Sequence, residues 1–170
     1  MEIVVLIVVL FRLIIPFSIF RWPFWGILAS LIADALDYSV FDLTTGSLAY
    51  YQQLDKLLDL YYLSIAFFVS LRWKGTERIT SIALFCYRCI GLLLFTITKT
   101  HLFLFIFPNL FEYFFIFWAC RNKFFSGFKL TPKKLAAVLL IILCLKLPGE
   151  YLLHVMGADP WAWMKSILGL

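Results

Sequence analysis

Charge is scarce in this chain. Only 15% of its 170 residues are Asp, Glu, Lys or Arg, whereas 64% are hydrophobic and the mean hydropathy is +0.95. A soluble domain of this length is nearer half apolar, so the composition excludes an ordinary soluble domain and is typical of a membrane protein. The length suits one polytopic domain over residues 1–170. Because charges are so few, each one inside an apolar stretch is informative.

Other features are missing as well. The chain contains no repeat, no low-complexity linker and no large polar loop. Its N-terminus lacks the basic start and small-residue cleavage site of a signal peptide, so we expect the first helix to be retained. The four cysteines lie in or beside apolar stretches with too few other ligands nearby for a zinc site. They are best interpreted as small packing residues: Cys86, Cys89, Cys120 and Cys144.

What is present is a series of six apolar stretches, each long enough or nearly long enough to cross a bilayer. They predict an all-α membrane protein, a bundle of about six transmembrane helices, near 2–20, 23–40, 55–73, 78–98, 101–120 and 132–155. Three prolines inside these stretches predict kinks: Pro16, Pro108 and Pro148. Pro132 fits the first turn of the last helix, with Thr131 as its cap. Residues 156–170 are interpreted as an interfacial tail because they contain Trp161 and Trp163.

Basic residues are distributed unequally between the two ends of the predicted bundle. One end, side A, carries the 41–54 loop and three basic residues, Lys56, Lys99 and Lys165. The other end, side B, carries nine, so the positive-inside rule places side B in the cytoplasm. They are Arg21, Arg72, Lys74, Arg78, Arg121, Lys123, Lys129, Lys133 and Lys134. The bias predicts an extracytoplasmic aspartate end in a plasma membrane. It accounts for the net charge of +5 without a nucleic-acid partner.

Five of the six aspartates lie between residues 34 and 59. Asp34 and Asp37 are three residues apart, and Asp55 and Asp59 are four apart, so each pair shares one helical face. With a short loop between the two helices, we expect all four carboxylates to converge at one rim. Such a group needs a metal ion, shared protons or basic partners. Carboxylate oxygens suit Mg²⁺, Mn²⁺ or Ca²⁺, of which Mg²⁺ or Mn²⁺ is the predicted cofactor. Asp55 and Asp59 would also be favourable at a helix N-terminus without any ligand.

Further charges fall within the predicted helices. Arg12, Arg88 and Glu112 each lie about ten residues from side A, near the middle of the membrane. Buried charges of this kind usually face a bundle interior or a wet cavity. Arg88 and Glu112 are therefore predicted to form an ion pair, either structural or functional. Glu150 and His154 share a face near side A, where they could also be a simple interfacial pair.

The aspartate spacing resembles that of the membrane-embedded CDP-alcohol phosphotransferases, whose pattern is D-x2-D-G-x2-A-R-x8-G-x3-D-x3-D. The four aspartates match with every interval kept, over residues 34–59 only. The chain has Tyr38, Phe41, Asp42 and Tyr51 where that pattern has Gly, Ala, Arg and Gly. The resemblance implies that Asp34, Asp37 and Asp55 bind Mg²⁺ or Mn²⁺ and that Asp59 is the catalytic base. It also implies a cytoplasmic aspartate site, which disagrees with the distribution of basic residues.

Three functions remain open. The first is a metal-dependent membrane enzyme or binding protein acting on a phosphate-bearing lipid, with basic residues holding the anion. The second is a carrier that moves protons or cations along buried Asp, Glu, Arg and His side chains. Six helices are few for a monomeric carrier, so this function predicts a homodimer or larger assembly. The third is an accessory subunit whose 19 phenylalanines face lipid and a membrane-complex partner.

Overall fold

The computed structural model describes the backbone of residues 2–44, 48–125, 127 and 131–154. It describes their side chains except at 2–5, 37–44, 48–55 and 153–154. Every regular element in these ranges is a helix, which confirms the all-α prediction for this part of the chain. The helices are α1 (Glu2–Ile14), a 3-10 turn (Ile15–Phe17), α2 (Ser18–Arg21), α3 (Pro23–Thr44), α4 (Leu48–Ser70), α5 (Thr76–Thr98), α6 (Leu102–Ile106), α7 (Leu110–Phe124) and α8 (Pro132–His154).

The predicted loop over 41–54 is wrong for most of its length. The helix α3 continues to Thr44 and α4 begins at Leu48. Scattered polar residues suggested a loop, but Leu, Ala and Gln are favourable helix formers. The strong helix-breaking signal in this stretch is confined to the Thr-Thr-Gly sequence at 44–46. Both helices are therefore longer at this end than predicted, which moves their aspartates away from the helix ends.

The prolines behave differently from one another. Pro16 lies in the 3-10 turn between α1 and α2, and Pro108 lies in the break between α6 and α7. Pro148, by contrast, stays inside the continuous helix α8. The prediction for Pro132 is confirmed, because it is the first residue of α8. The Lys134 N–H donates to Thr131 Oγ1 at 3.4 Å, as expected of a helix cap.

The described chain comprises two compact units, of which the first contains Met1–Ser81 and Phe115–Phe128. Within it, α1, α3 and α4 contact one another, and α2 packs on α3 and α4. The close approach of α2 and α3 depends on Gly26, because a Cβ there would lie 2.5 Å from the Ile19 backbone nitrogen. Tyr61 on α4 donates its hydroxyl proton to the Leu13 carbonyl at 3.0 Å. This contact fixes α4 against the end of α1.

The second unit contains Ile82–Phe114 and Lys129–Leu170. In its described part α6 packs on α8, with the rings of Phe105 and Tyr151 edge to face at 5.9 Å. Phe85 on α5 packs edge to face on Phe111 at 5.3 Å between ring centroids. Phe111 is completely buried. Aromatic packing is therefore a main source of cohesion in this unit.

Among the described residues, three segments are long and apolar enough to cross a membrane: Thr76–Thr98, Leu102–Phe124 and Pro132–Leu152. Only 22% of the apolar window of the first and 17% of that of the third are buried inside the protein, so most of their apolar side chains face outward. An outward apolar surface of this kind is typical of helices that contact lipid. The apolar segment Pro23–Leu36 of α3 is shorter.

Candidate functional site

The principal charged site lies in the first unit, around Arg12 on α1. The Arg12 side chain is only 3% exposed, and it extends between α3 and α4. Its Nη2 atom contacts Asp34 Oδ1 on α3 and donates to Asp59 Oδ1 on α4 at 2.9 Å. A buried guanidinium is costly unless carboxylates compensate its charge, and here two of them do so. One side chain thus joins three helices.

Lys56 supplies a second cation to the same site. Its Nζ lies 3.9 Å from Asp59 Oδ2, one helical turn earlier on α4. We call Arg12, Asp34, Lys56 and Asp59 the Arg12 cluster. Its two cations and two carboxylates have a formal sum of zero. The carboxylates are partly accessible, with Asp34 29% and Asp59 16% exposed, whereas Arg12 is not.

The two carboxylates of the cluster lie halfway along α3 and α4. Asp34 and Asp59 are each about ten or eleven residues from both ends of α3 and α4, roughly 15 Å at 1.5 Å per residue. The prediction that these two carboxylates lie at a rim is therefore wrong. The predicted loop over 41–54 placed the helix ends too close to the aspartates. If α3 and α4 span a membrane, the Arg12 cluster lies near its middle.

The predicted metal ligands and base divide into two groups. Asp34 and Asp59 have described side chains, and Arg12 contacts both of them. Asp37 and Asp55 lie on the described backbone of α3 and α4, but their side chains are outside the described residues. Within the described part of the chain, no group of three or more His, Cys, Asp or Glu side chains is arranged to hold a metal. The proposed roles of all four aspartates stay predictions.

A second polar group lies in the other unit, where α7 begins. Asn109 immediately precedes α7, and its Oδ1 accepts the Glu112 N–H at 3.4 Å. Asn109 Nδ2 donates in return to Glu112 Oε2 at 2.5 Å. An Asn followed three residues later by Glu is the arrangement of an N-terminal helix cap. Both side chains are buried, so a structural role for Glu112 has direct support.

Arg88 on α5 is also buried, at 5% exposure. Its Nη1 donates to the Phe107 carbonyl at 3.0 Å, in the break between α6 and α7. The neighbouring Tyr87 hydroxyl donates to the Ile106 carbonyl. Arg88 and Glu112 therefore have different hydrogen-bond partners, and the predicted ion pair between them is not confirmed. Arg88 Nε is buried without a hydrogen-bond partner.

Glu150 on α8 is buried and has a basic neighbour on its own helix. Lys146 Nζ lies 3.4 Å from Glu150 Oε1, at i,i+4 spacing. The same ammonium lies 4.9 Å from the centre of the Tyr113 ring. His154, the predicted partner of Glu150, is the last residue of α8, and its side chain is outside the described residues. A signal for Lys146 was present in the sequence, because it lies four residues before Glu150, but His154 was predicted as the partner instead.

The partners of Arg12 were also missed, although the sequence contained a signal. Arg12 and Asp34 lie about ten and twelve residues from the turn at Trp22, so their depths differ by only about 3 Å. Asp59 is a similar distance from the end of α4 at Ser70. Measured from side B, where the turns are short and well marked, the three residues share one level. When depth is counted from side A, the wrong boundary of the 41–54 loop makes the depths of Asp34 and Asp59 appear different from that of Arg12.

Comparison with models of protein families, with curated proteins and with solved structures finds no match to this chain.

Proposed function

We propose that this protein is a polytopic membrane carrier and that the Arg12 cluster is its exchange site for a proton or small cation. The observation that supports the proposal is the contact of one buried arginine with two carboxylates halfway along their helices. Ionisable groups at that depth are costly, and they commonly line ion pathways or proton relays. The Arg12 cluster adds the partial accessibility that an incoming ion requires.

The charge balance of the cluster suggests how exchange works. With no cargo, Arg12 compensates Asp34 and Asp59, so their charges are tolerated at depth. A cation that binds these carboxylates, or a proton that neutralises one of them, weakens the contacts that hold the guanidinium. Arg12 can then move away from them. When the cargo leaves, the guanidinium returns, so the site alternates between an internal and an external cation.

Carrier function also requires helices α1 to α4 to complete a bundle with the three long apolar segments. We propose the six-span arrangement expected from the sequence, in a plasma membrane. Because six helices are few for a monomeric carrier, we propose a homodimer or a fixed membrane-complex partner.

Ion flux in proteoliposomes tests the carrier proposal. Wild-type protein is expected to couple a proton gradient to uptake of a monovalent or divalent cation. Asp34→Asn and Asp59→Asn should each reduce the rate of cation uptake about tenfold or more, because each removes one of the two negative charges that bind the transported ion. Glu77→Gln is the control, since Glu77 lies in the first turn of α5 and outside the cluster. If well-folded wild-type protein moves no proton or cation, the carrier proposal is wrong. Constant copurification with another protein would then favour the accessory subunit.

A second candidate is the metal-dependent enzyme acting on a phosphate-bearing lipid. It is favoured by the four aspartate intervals, because Asp37 and Asp55 lie about one helical turn along the sequence from Asp34 and Asp59 and would bring two more carboxylates to the site. Mg²⁺ or Mn²⁺ would supply Lewis-acid polarisation of a phosphoryl oxygen when bound. The described carboxylates fit this role less well than expected, since Arg12 contacts Asp34 as well as Asp59 and Lys56 lies beside Asp59.

Calorimetry or Mn²⁺ resonance on purified protein tests this second candidate. Asp37→Asn and Asp55→Asn should each weaken metal binding about tenfold or more, which corresponds to about 1.4 kcal/mol. Asp59→Asn should have a smaller effect. If the unmodified protein binds neither metal, this candidate is excluded. If the protein binds metal but does not process CDP-linked lipids, the metal site is supported and the phosphotransferase activity implied by the resemblance is excluded.

A further inference from the structure

A cavity of about 290 Å³ lies in the first unit, where α2 ends, α3 begins and α7 ends. It is separate from the Arg12 cluster and shares no residue with it. Its polar lining is basic or neutral, and its remaining lining is mainly aromatic. The residues that define it are Arg21, Trp22, Trp25, Trp73, Asn122 and Lys123. We call it the side B pocket, because Arg21 and Lys123 belong to the basic end of the chain.

The pocket contains two cations and no carboxylate. Among the described residues, no acidic side chain lies within salt-bridge distance of Arg21 or Lys123. Lys123 Nζ instead lies 4.3 Å from the centre of the Trp25 ring, and at 5.8 Å and 5.5 Å from those of Phe24 and Phe124. Cation–π contacts position an ammonium without neutralising its charge. The pocket therefore keeps its positive charge available for an anion.

The neutral polar group in the pocket is also oriented. Arg121 Nη1 donates to Asn122 Oδ1 at 2.8 Å, so the oxygen end of this amide already has a partner. The NH₂ end supplies the donors that remain. Two cations and an amide donor form a set suited to a phosphate group.

The aromatic residues indicate where that phosphate comes from. Trp22 and Trp25 are 61% and 54% exposed. Tryptophan is mostly buried in soluble proteins, whereas exposed tryptophan is typical of the headgroup layer of a membrane. The nine basic residues of side B would lie at the same layer. A phosphate bound beside these exposed tryptophans leaves its acyl chains in the bilayer. Basic pockets at the ends of membrane helices bind anionic headgroups in this way.

We propose that the side B pocket binds the phosphate headgroup of an anionic membrane lipid. The lipid phosphate lies between Arg21 and Lys123, with the indole rings of Trp22 and Trp25 against the headgroup and the start of the acyl chains. This site does not depend on ion transport by the Arg12 cluster. It gives the first unit a lipid contact at one defined place instead of a general attraction to an anionic surface.

Lipid titration of the purified full-length protein in detergent tests the proposal, with binding followed by native mass spectrometry and thermal unfolding. Phosphatidylglycerol is expected to bind about tenfold more tightly than phosphatidylcholine. The double variant Arg21→Gln/Lys123→Gln should reduce this affinity about tenfold or more. Arg78→Gln/Lys133→Gln is the matched control, since it removes the same charge from side B at residues outside the pocket. It should change affinity less than about threefold.

The variant Arg21→Lys/Lys123→Arg changes both side chains but keeps both charges, so it separates loss of charge from a folding defect. It should retain the preference for phosphatidylglycerol. Equal losses in the two Gln variants would mean a general surface attraction and overturn the pocket. Equal binding of phosphatidylcholine would overturn an anion site. Displacement of the lipid by inorganic phosphate or glycerol phosphate at similar concentrations would assign the site to a soluble phosphate and overturn the lipid ligand.

Discussion

Arg12 is the residue on which the charged interior of the first unit depends. Its Nη2 contacts carboxylates from two different helices, so it supplies part of the counter-charge for which the sequence left a metal ion, shared protons or basic partners open. The sequence correctly predicted that grouped carboxylates need compensation. The sequence did not identify Arg12 as the residue that compensates them. Which charged residues meet depends on the depth and the rotation of each helix, and an error in one loop boundary changes the expected depth and rotation together.

Asn109 carries a residue-scale prediction. Asn109→Ala removes the acceptor for the Glu112 N–H and the donor to its carboxylate, at a buried helix start. Loss of a cap costs about 1 kcal/mol, and the carboxylate also loses a partner, so we expect a loss of about 1–3 kcal/mol in unfolding free energy. Thermal unfolding in detergent measures it.

Thr131→Ala is the comparison for that experiment, since Thr131 caps α8 through an N–H···O bond of the same 3.4 Å length but at an exposed site. Its loss should be smaller. A larger loss at Thr131 than at Asn109 would mean that the Asn109–Glu112 pair is not what holds the start of α7.

Helix positions were largely predictable from the sequence, because the apolar stretches, and the proline, glycine and charged residues between them, locate the helices well. The six stretches correspond to described helices within a few residues, apart from the 41–54 loop. The break at Pro108 is real, and Tyr87 and Arg88 on α5 satisfy the carbonyls of Ile106 and Phe107 there. That arrangement was not predictable, since it requires two helices to approach at one level. Pro148 shows that a proline alone does not predict a helix break, because α8 continues through it.

Gly91 on α5 makes the approach to that break possible. A Cβ at Gly91 would overlap the side chain of Phe107, so Gly91→Ala should force α5 and the broken segment apart. Overpacking of this kind costs about 1–3 kcal/mol. The same substitution at Gly149 in α8 is the control, because nothing lies within 4 Å of a Cβ there.

Gly149→Ala should be neutral or stabilising by up to about 1 kcal/mol, from helix propensity alone. Thermal unfolding of the two variants side by side separates packing from propensity. A Gly91→Ala variant as stable as Gly149→Ala would contradict the close contact of α5 with Phe107.

At the scale of the whole molecule, the distribution of basic residues makes a prediction about orientation. Nine basic residues on side B against three on side A predict that side B lies in the cytoplasm. In a cysteine-free background, Ser47→Cys should react with an impermeant thiol reagent from outside, and Ser126→Cys only after lysis. The reverse pattern would invert the topology and agree with the cytoplasmic aspartate site of the phosphotransferases. Both positions lie outside the described residues.

The account as a whole rests on the contact of Arg12 with Asp34 and Asp59, and thermal unfolding in detergent tests it most directly. Arg12→Met should lose up to about 3–5 kcal/mol, because it leaves two partly buried carboxylates without their main counter-charge. Asp34→Asn/Asp59→Asn should also lose stability, because Arg12 is then uncompensated. The triple variant is expected to recover part of both losses, since neither the guanidinium nor the two carboxylates are then left without a partner. Strictly additive losses in the triple variant would mean that these residues do not interact, which would contradict the cluster and the exchange site built on it.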